Sequence, residues 1–573
     1  MSREIGDSPE FRRIVELPRR APELTTELVT ELTSLLKTPE GTMALKPVQA
    51  LALYEIGTYK GLFGPIRVGG GKTLISLLAP YVLELQRPIL LLPAALIEKT
   101  ERERRQLAKH WRVARNLRFI SYESLGLEKS ADILKMYRPD GIIADEAHLL
   151  KNKKAGRTRR VLRYMKESPE TCFIAISGTM MKASLRDFAH ILTWTHGKGA
   201  PIPTNEGDLE FWASCLDESK NPFGRTQPGA LLKQATMEDQ GEDDFATARR
   251  WFRRRLLETP GVVATQGDQV SCSLYVRALE FNPSSVTDDN FSTLRSLWET
   301  PDGWALSQAV DVWRVARELA LGLHYVWDPR PPPEWLTARR EWAAFVRDVL
   351  SRSRTLDTEL QVANACRLGD LDRDAFDAWQ EIKDEFKINS KPVWHDVTAL
   401  ETCERWMAKG PGIVWVEHGF FGRELEKRTG VPYCREGGLD KNGIAIESHD
   451  PKRPLIASIR ANGTGRNLQA WCRNLITSCP TGNSELEQTL GRTHRDGQKA
   501  DAVEVDILLG CLEHATAWET ARARARATED TLGQPQKILL ADSLFPSVDS
   551  LAGRSGPRWT KVAAKAKNPS GDL

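Results

Sequence analysis

Cysteine never pairs at short range in this chain. Nine cysteines are scattered over 573 residues with no C-x-x-C anywhere, and Cys472 and Cys479 come nearest to one. That spacing excludes a zinc ribbon and a disulfide framework, and it fits a reducing compartment. Long apolar runs are also missing. No stretch reaches the length of a membrane span and the N-terminal segment has no signal-peptide core, so a cytoplasmic protein with no membrane partner is expected. Net charge is scarce as well: at +3 it is too small to announce a polyanionic partner by itself, so local clusters carry that question. The remaining composition, 41% apolar and 27% charged, is ordinary for a globular protein. The length allows roughly two to four domains, each burying its own core.

The stretch around which the rest is organised is Arg67-Val68-Gly69-Gly70-Gly71-Lys72-Thr73-Leu74. Glycines followed by Lys-Thr and an apolar run read as a loop opening into a helix, where backbone N–H groups turn inward around an anion. Lys72 would reach the β- and γ-phosphates and the Thr73 hydroxyl would ligate Mg²⁺. The strict phosphate-loop pattern wants glycine at position 66, where this chain has Ile66. A glycine-rich surface turn ending in Lys-Thr is the plain alternative, and the residues downstream decide between them.

Gly141-Ile142-Ile143-Ala144-Asp145-Glu146-Ala147-His148 is the second decisive stretch. An apolar strand delivers two adjacent carboxylates at its carboxyl end, where ligands bind in parallel α/β sheets. Neighbouring strand residues point to opposite sides, so Asp145 suits a Mg²⁺ role and Glu146 a general-base role. Such a pair can also be a solvated turn. It stands about seventy residues behind a Gly-Lys-Thr loop, which favours the catalytic reading.

Other strands are expected at Pro88–Pro93, Arg118–Tyr122 and Cys172–Ile176, alternating with helices. Residues 1–40 read as a charged helical lead-in and 41–199 as one α/β domain with a parallel sheet. Residues 200–398 carry many tryptophans (among them Trp212, Trp251, Trp304, Trp327, Trp335 and Trp342), an acidic run at Glu238–Asp244 and an Arg-rich helix at Arg249–Arg255. This region is read as a mostly helical insertion whose tryptophans pack the core rather than stack on bases. Strand signals return at Gly412–His418, Pro454–Ile459, Asn474–Thr477 and Val503–Leu508, giving a second α/β domain over 399–535 without a phosphate loop of its own. Residues 536–573 read as a solvated basic tail, which beyond about 550 carries Arg554, Arg558, Lys561, Lys565 and Lys567 against Asp572.

Gln488-Thr489-Leu490-Gly491-Arg492-Thr493-His494-Arg495-Asp496-Gly497-Gln498 is the most specific stretch. Two arginines three apart on a helical turn share a face, and guanidinium groups fork onto phosphate oxygens. Supplied from a second domain, Arg492 and Arg495 would stabilise charge on the transferring γ-phosphoryl group, an effect worth about 10³–10⁵ in rate. A surface ion-pair helix is the plain alternative.

The order of these motifs resembles superfamily 2 helicases, and within them the Swi/Snf-like DNA translocase branch, in a divergent phage or bacterial form. Leu45-Lys46-Pro47-Val48-Gln49 is similar to the family's adenine-recognising segment, with Gln49 at the glutamine position. Gly69, Gly70, Gly71, Lys72 and Thr73 match its phosphate loop, although Ile66-Arg67 replaces the acidic pair that often precedes it. Leu91-Leu92-Pro93-Ala94-Ala95-Leu96 is similar to its DNA-facing segment. Asp145-Glu146-Ala147-His148, followed by Lys151-Asn152, resembles the metal-and-base motif. Ser177-Gly178-Thr179 resembles the coupling motif, with Met180 where proline is usual. Gly463-Thr464-Gly465-Arg466-Asn467-Leu468-Gln469 resembles the Gly-rich Asn-Leu-Gln segment, and Gln488 to Gln498 the arginine-finger motif. Cys479-Pro480-Thr481-Gly482-Asn483 stands where a Trp-Asn-Pro triplet is usual.

The resemblance implies two RecA-like parallel-sheet domains in tandem with a mostly helical insertion between them. It implies ATP and Mg²⁺ as cofactors, with Gln49, Gly69, Gly70, Gly71, Lys72, Thr73, Gly465 and Gln488 at the nucleotide and Thr73 and Asp145 at the metal. The expected activity is DNA-stimulated ATP hydrolysis coupled to movement on double-stranded DNA, in the cytoplasm or at the nucleoid; RNA is the other polymer allowed. A strand-separating helicase and a non-catalytic nucleic-acid scaffold are the alternatives. The basic run Lys151, Lys153, Lys154, Arg157, Arg159 and Arg160 reads either as a nucleic-acid contact or as a solvated helix face.

Overall fold

The computed structural model describes every residue except 1–3, 21–24, 68, 183, 219–223, 266–269, 271, 464 and 562–573. The protein is α/β, with one five-stranded and one seven-stranded parallel sheet and a two-stranded antiparallel ribbon. Two compact units divide it. The first comprises Met1–Asp268, Ala338–Glu381 and Arg524–Gln536, and the second Gln269–Thr337, Ile382–Ala523 and Lys537–Leu573.

The first unit holds β1 (Leu62–Gly64), β2 (Pro88–Leu92), β3 (Arg118–Ser121), β4 (Gly141–Asp145) and β5 (Cys172–Ile176), in the order β1-β5-β4-β2-β3. Every residue of β2 and β4 is buried, as apolar strands covered on both faces must be. The two-residue side-chain period sorts the strands into two layers. Phe63, Ile89, Leu91, Ile142, Ala144, Phe173 and Ala175 join one core. Leu62, Leu90, Leu92, Ile143, Ile174 and Ile176 join another, under the helices Pro47–Tyr59 and Lys72–Val82. Each fully buried Leu or Ile contributes about 1.5–3 kcal/mol.

The second unit holds β6 (Ser273–Glu280), the ribbon of β7 (Leu323–Trp327) with β8 (Ser390–Trp394), then β9 (Ile413–Val416), β10 (Tyr433–Cys434), β11 (Leu455–Ser458), β12 (Arg473–Ile476), β13 (Ala502–Leu509) and β14 (Asp542–Leu544). Its sheet runs β10-β11-β9-β12-β13-β6-β14.

Three expectations on boundaries need correction. The insertion expected at 200–398 is not one body. Helices Glu206–Leu216 and Asp244–Leu257 bring Trp212 and Trp251 into the first unit's core, where both lie beside Phe11 of the N-terminal helix, at 6.4 and 6.1 Å between ring centroids. β6 pairs with β13 along eight residues, Ser273 with Ala502 through Glu280 with Leu509, so the second sheet begins well before 399. Residues 338–381 belong to the first unit instead. The solvated tail expected from 536 is folded as far as it is described. β14 extends the sheet beside β6, and Leu551 and Trp559 are buried with Leu509, Leu512 and Ala515. Lys565, Lys567 and Asp572 lie outside the described residues. The expected 1–40 lead-in is part of the first unit, where the Arg255 guanidinium donates to the Ile14 and Leu17 carbonyls.

The basic run at 151–160 also finds an internal use. Arg159 donates to the Leu356 carbonyl, at 2.9 Å, and to that of Leu350. Arg163 places one nitrogen 2.7 Å from both carboxylate oxygens of buried Asp357, with Arg160 3.6 Å from the same carboxylate. This side of the helix Gly156–Glu167 therefore receives the 338–381 segment, which carries its own small core of Trp342, Val346, Val362, Cys366 and Phe376.

Candidate functional site

In the first unit the site assembles at the carboxyl ends of the parallel strands. Gly71 sits at φ 78°, ψ 32° and leads directly into the helix Lys72–Val82. That left-handed conformation suits glycine, and a Cβ there would lie 1.9 Å from Gln49 Nε2. A Cβ at Gly70 would lie 2.5 Å from the Ile66 side chain. Ile66, the departure from the strict pattern, is fully buried, and its side chain crowds the space a Cβ at Gly70 would need. Val68 lies outside the described residues.

Gln49 stands against this loop. Its amide oxygen accepts from the Lys46 N–H at 2.8 Å, and its nitrogen donates to the Gly71 carbonyl at 3.3 Å. Thr73 is half-buried on the first turn of the helix that Lys72 opens.

β4 ends at Asp145, and the chain then turns sharply. Glu146 adopts φ 56°, ψ 47°, so it does not extend the strand as the simple alternation of side chains had suggested. A non-glycine residue held in that region costs on the order of 1–3 kcal/mol and persists only where its surroundings enforce it. Here the Tyr122 hydroxyl donates to the Asp145 carbonyl at 2.8 Å, and the Glu146 N–H donates to Asp145 Oδ1 at 3.0 Å. The turn delivers Glu146 to the loop: Lys72 Nζ lies 3.2 Å from Glu146 Oε1. On its other oxygen, Glu146 accepts from the Ser177 hydroxyl at 3.4 Å, with His148 Nδ1 also 3.4 Å away. His148 Nδ1 and Ser177 Oγ are 2.9 Å apart.

Electrostatics separate the two acids. Burial pushes the Asp145 carboxyl up to about 6; the Glu146 charge adds to this and the Lys72 ammonium opposes it. Burial also works against charge on Glu146, but Lys72 and His148 outweigh it and hold that carboxyl well below its usual range. Two buried carboxylates thus share the Lys72 ammonium, with His148 beside Glu146. Among the described residues no three His, Cys, Asp or Glu side chains converge as a metal cage. Mg²⁺ bound through phosphates needs only one or two carboxylates, and Asp145 is a carboxylate of the kind such an ion would use.

One residue with no local sequence signal joins this site. Gln534, fully buried, donates its side-chain N–H to the Gly178 carbonyl at 2.5 Å, within Ser177-Gly178-Thr179. Only the fold could reveal that contact, across 356 residues.

The second unit assembles its own group. The helix Asn483–Thr493 carries Gln488 and Arg492, both buried. It stops before Arg495, because His494 leaves helical geometry at ψ 86° and Gly497 turns the chain at φ 87°. Arg495 is therefore not on the expected helical turn, yet both arginines converge. Arg492 Nη1 and Arg495 Nη1 donate to the Arg466 carbonyl at 3.1 and 3.2 Å, and Arg495 also reaches Asn467 Oδ1 at 2.5 Å. Gly465, at φ 75°, precedes that carbonyl, and Thr464 lies outside the described residues. The Gln488 carbonyl accepts from Arg492 Nε at 2.8 Å. Other residues of the motif hold its shape: His494 Nε2 lies 2.9 Å from the Cys272 carbonyl, and Gln498 donates to the Trp471 and Thr493 carbonyls.

The structure thus brings Gln49, Gly71, Lys72, Asp145 and Glu146 together in one unit, and Gly465, Gln488, Arg492 and Arg495 in the other. Compared with protein-family models and with curated proteins, the chain matches none.

Proposed function

We propose that the protein is a nucleic-acid-dependent ATPase that couples hydrolysis to movement on double-stranded DNA. The observation that carries this reading is the Lys72–Glu146 pair, 3.2 Å apart, where a glycine loop meets the carboxyl end of β4. Loop N–H groups and Lys72 would receive the phosphates. Thr73 and Asp145 would hold Mg²⁺, which would supply positive charge to the phosphates. Glu146 is held ionised by Lys72 and His148, and an ionised carboxylate can take a proton from water. Nucleotide binding would draw Lys72 toward phosphate and leave Glu146 free for that task. Ser177 and His148 orient the carboxylate and link it to Ser177-Gly178-Thr179, a route by which the nucleotide's state would reach the rest of the unit. Arg492 and Arg495 are the candidates for charge stabilisation on the transferring phosphoryl group.

The test is steady-state ATP hydrolysis with and without duplex DNA. Glu146→Gln is expected to lower kcat by about 10²-fold or more, in keeping with loss of a general base. Lys72→Ala is expected to abolish turnover and weaken nucleotide binding. Hydrolysis unchanged from wild type in both variants would defeat the assignment. Stimulation by RNA but not by DNA would replace the polymer.

A further inference from the structure

Ten tryptophans lie between residues 200 and 398, and one of them stands apart. Trp212, Trp251, Trp335 and Trp342 are buried, whereas Trp304 is 39% exposed. The exposure is built in. Thr300 Oγ1 accepts from the Trp304 N–H at 3.0 Å, the Thr300 N–H donates to the Trp304 carbonyl at 2.9 Å, and Gly303 turns the chain between them at φ 78°. Behind Trp304 a ladder of rings leads inward. Trp327 lies 6.3 Å from it between centroids, and Phe386 and buried Trp335 lie 6.4 and 6.5 Å beyond. The outer end of the ladder walls a cavity of about 220 Å³, lined also by Tyr325, Asp311, Arg314 and Arg330. Drug-sized ligands fill roughly 300–1,000 Å³, so this space suits a single heterocycle.

The charged groups sort by position. Asp302, also at the rim, is committed to Thr300, His324 and Arg330. Arg314 pairs with Glu318 at 2.8 Å but is 51% exposed, and Arg330 is 56% exposed. Both therefore present guanidinium edges to solvent beside an aromatic face. Aromatic rings and two partly exposed guanidinium groups among the lining residues, with Asp311 the one further acid beside Asp302, match a base attached to a phosphate chain.

We infer that this pocket takes one unpaired nucleobase of a single-stranded nucleic acid, stacked on Trp304, with the adjoining phosphates beside Arg314 and Arg330. The inference rests on the nucleic-acid reading above for its polymer and needs no ATP hydrolysis. Duplex is excluded from the pocket because paired bases keep their faces in the stack.

Fluorescence anisotropy of the full chain, without ATP, tests it with two fluorescein-labelled strands of equal length, oligothymidylate and an abasic chain with the same phosphates. Wild type is expected to prefer oligothymidylate. Trp304→Ala is expected to weaken oligothymidylate binding roughly tenfold while leaving the abasic strand unchanged, and Trp304→Phe to retain most of the preference. Wild-type binding that ignores the bases, or a Trp304→Ala variant indistinguishable from wild type, overturns the pocket and leaves the ATPase reading standing. No binding of any strand or duplex overturns both. Displacement by thymidine monophosphate at matched base concentration overturns the strand in favour of a free nucleotide.

Discussion

At the scale of single residues, the candidate site sets two buried carboxylates, Asp145 and Glu146, beside the Lys72 ammonium. The two arginines of the second unit are unequal probes of it. Arg492 is 3% exposed, so truncating it disturbs the packing around Gln488, whereas half-buried Arg495 can be changed more cleanly. Arg495→Ala is expected to lower kcat by about 10³-fold or more while leaving thermal unfolding close to wild type. A drop under tenfold, measured at saturating ATP, would remove it from the transition state. His190 supplies a second residue-scale prediction. Buried beside Trp194, with Nε2 2.8 Å from the Leu150 carbonyl, it is driven down to about 4, chiefly by burial. The unfolded chain takes up this proton near pH 6.5 and the folded chain only near 4, so the stability that His190 contributes is complete above 6.5 and is lost as pH falls toward 4. His190→Gln should flatten the decline between pH 7 and pH 5 by on the order of 1–2 kcal/mol, read from urea unfolding. An identical decline in both proteins would show that His190 does not titrate this way.

At the scale of elements, the segment 338–381 depends on a few charges. Asp357 is nearly inaccessible and faces Arg160 and Arg163, of which Arg160 is also buried. Asp357→Ala would strand these cations, and breaking such a buried pair costs about 3–5 kcal/mol. The expected result is a loss near the lower figure, since Arg163 is partly exposed, with faster proteolysis within 338–381. A loss below about 1 kcal/mol would mean that the segment is held by its other contacts, apolar packing and the Arg159 hydrogen bonds among them.

The strands that the sequence disclosed were those with dense apolar runs between turn signals, β2, β4, β9 and β11 among them. β6 escaped because only its first half alternates cleanly between exposed and buried residues and it sits among helical patterns. β14 has three residues, too few for any period to show. In the candidate site, Lys72, Asp145 and Glu146 were legible as two short motifs, and the structure brings the three side chains near one another. The left-handed turn at Glu146, the shared Arg466 carbonyl and the reach of Gln534 arise from tertiary packing and leave no local trace. Arg159, Arg160 and Arg163 show the opposite limit: a basic helix face looks the same in sequence whether it meets phosphate, water or another segment of its own chain.

At the scale of the whole molecule, neither unit is a continuous stretch of chain. Leu532 is fully buried in the core that also holds Phe11, Phe63 and Trp251, and Arg253 donates toward the Glu529 carbonyl. A fragment ending at residue 268 would lack both these partners and the Asp357 anchor. It is expected to retain helical circular dichroism but to unfold without a sharp transition, and co-expression with the remaining residues should restore one. Cooperative unfolding of the fragment alone, at the wild-type midpoint, would show that the later segments are accessories.

The burial of Leu532 has a consequence for how the protein is made. Ribosomes add about 5–20 residues per second, so the first unit waits tens of seconds after its phosphate loop has emerged before its last segment arrives. Throughout that interval the apolar core that Leu532 completes lacks this side chain, so the first unit can finish folding only once residues 524–536 have been made.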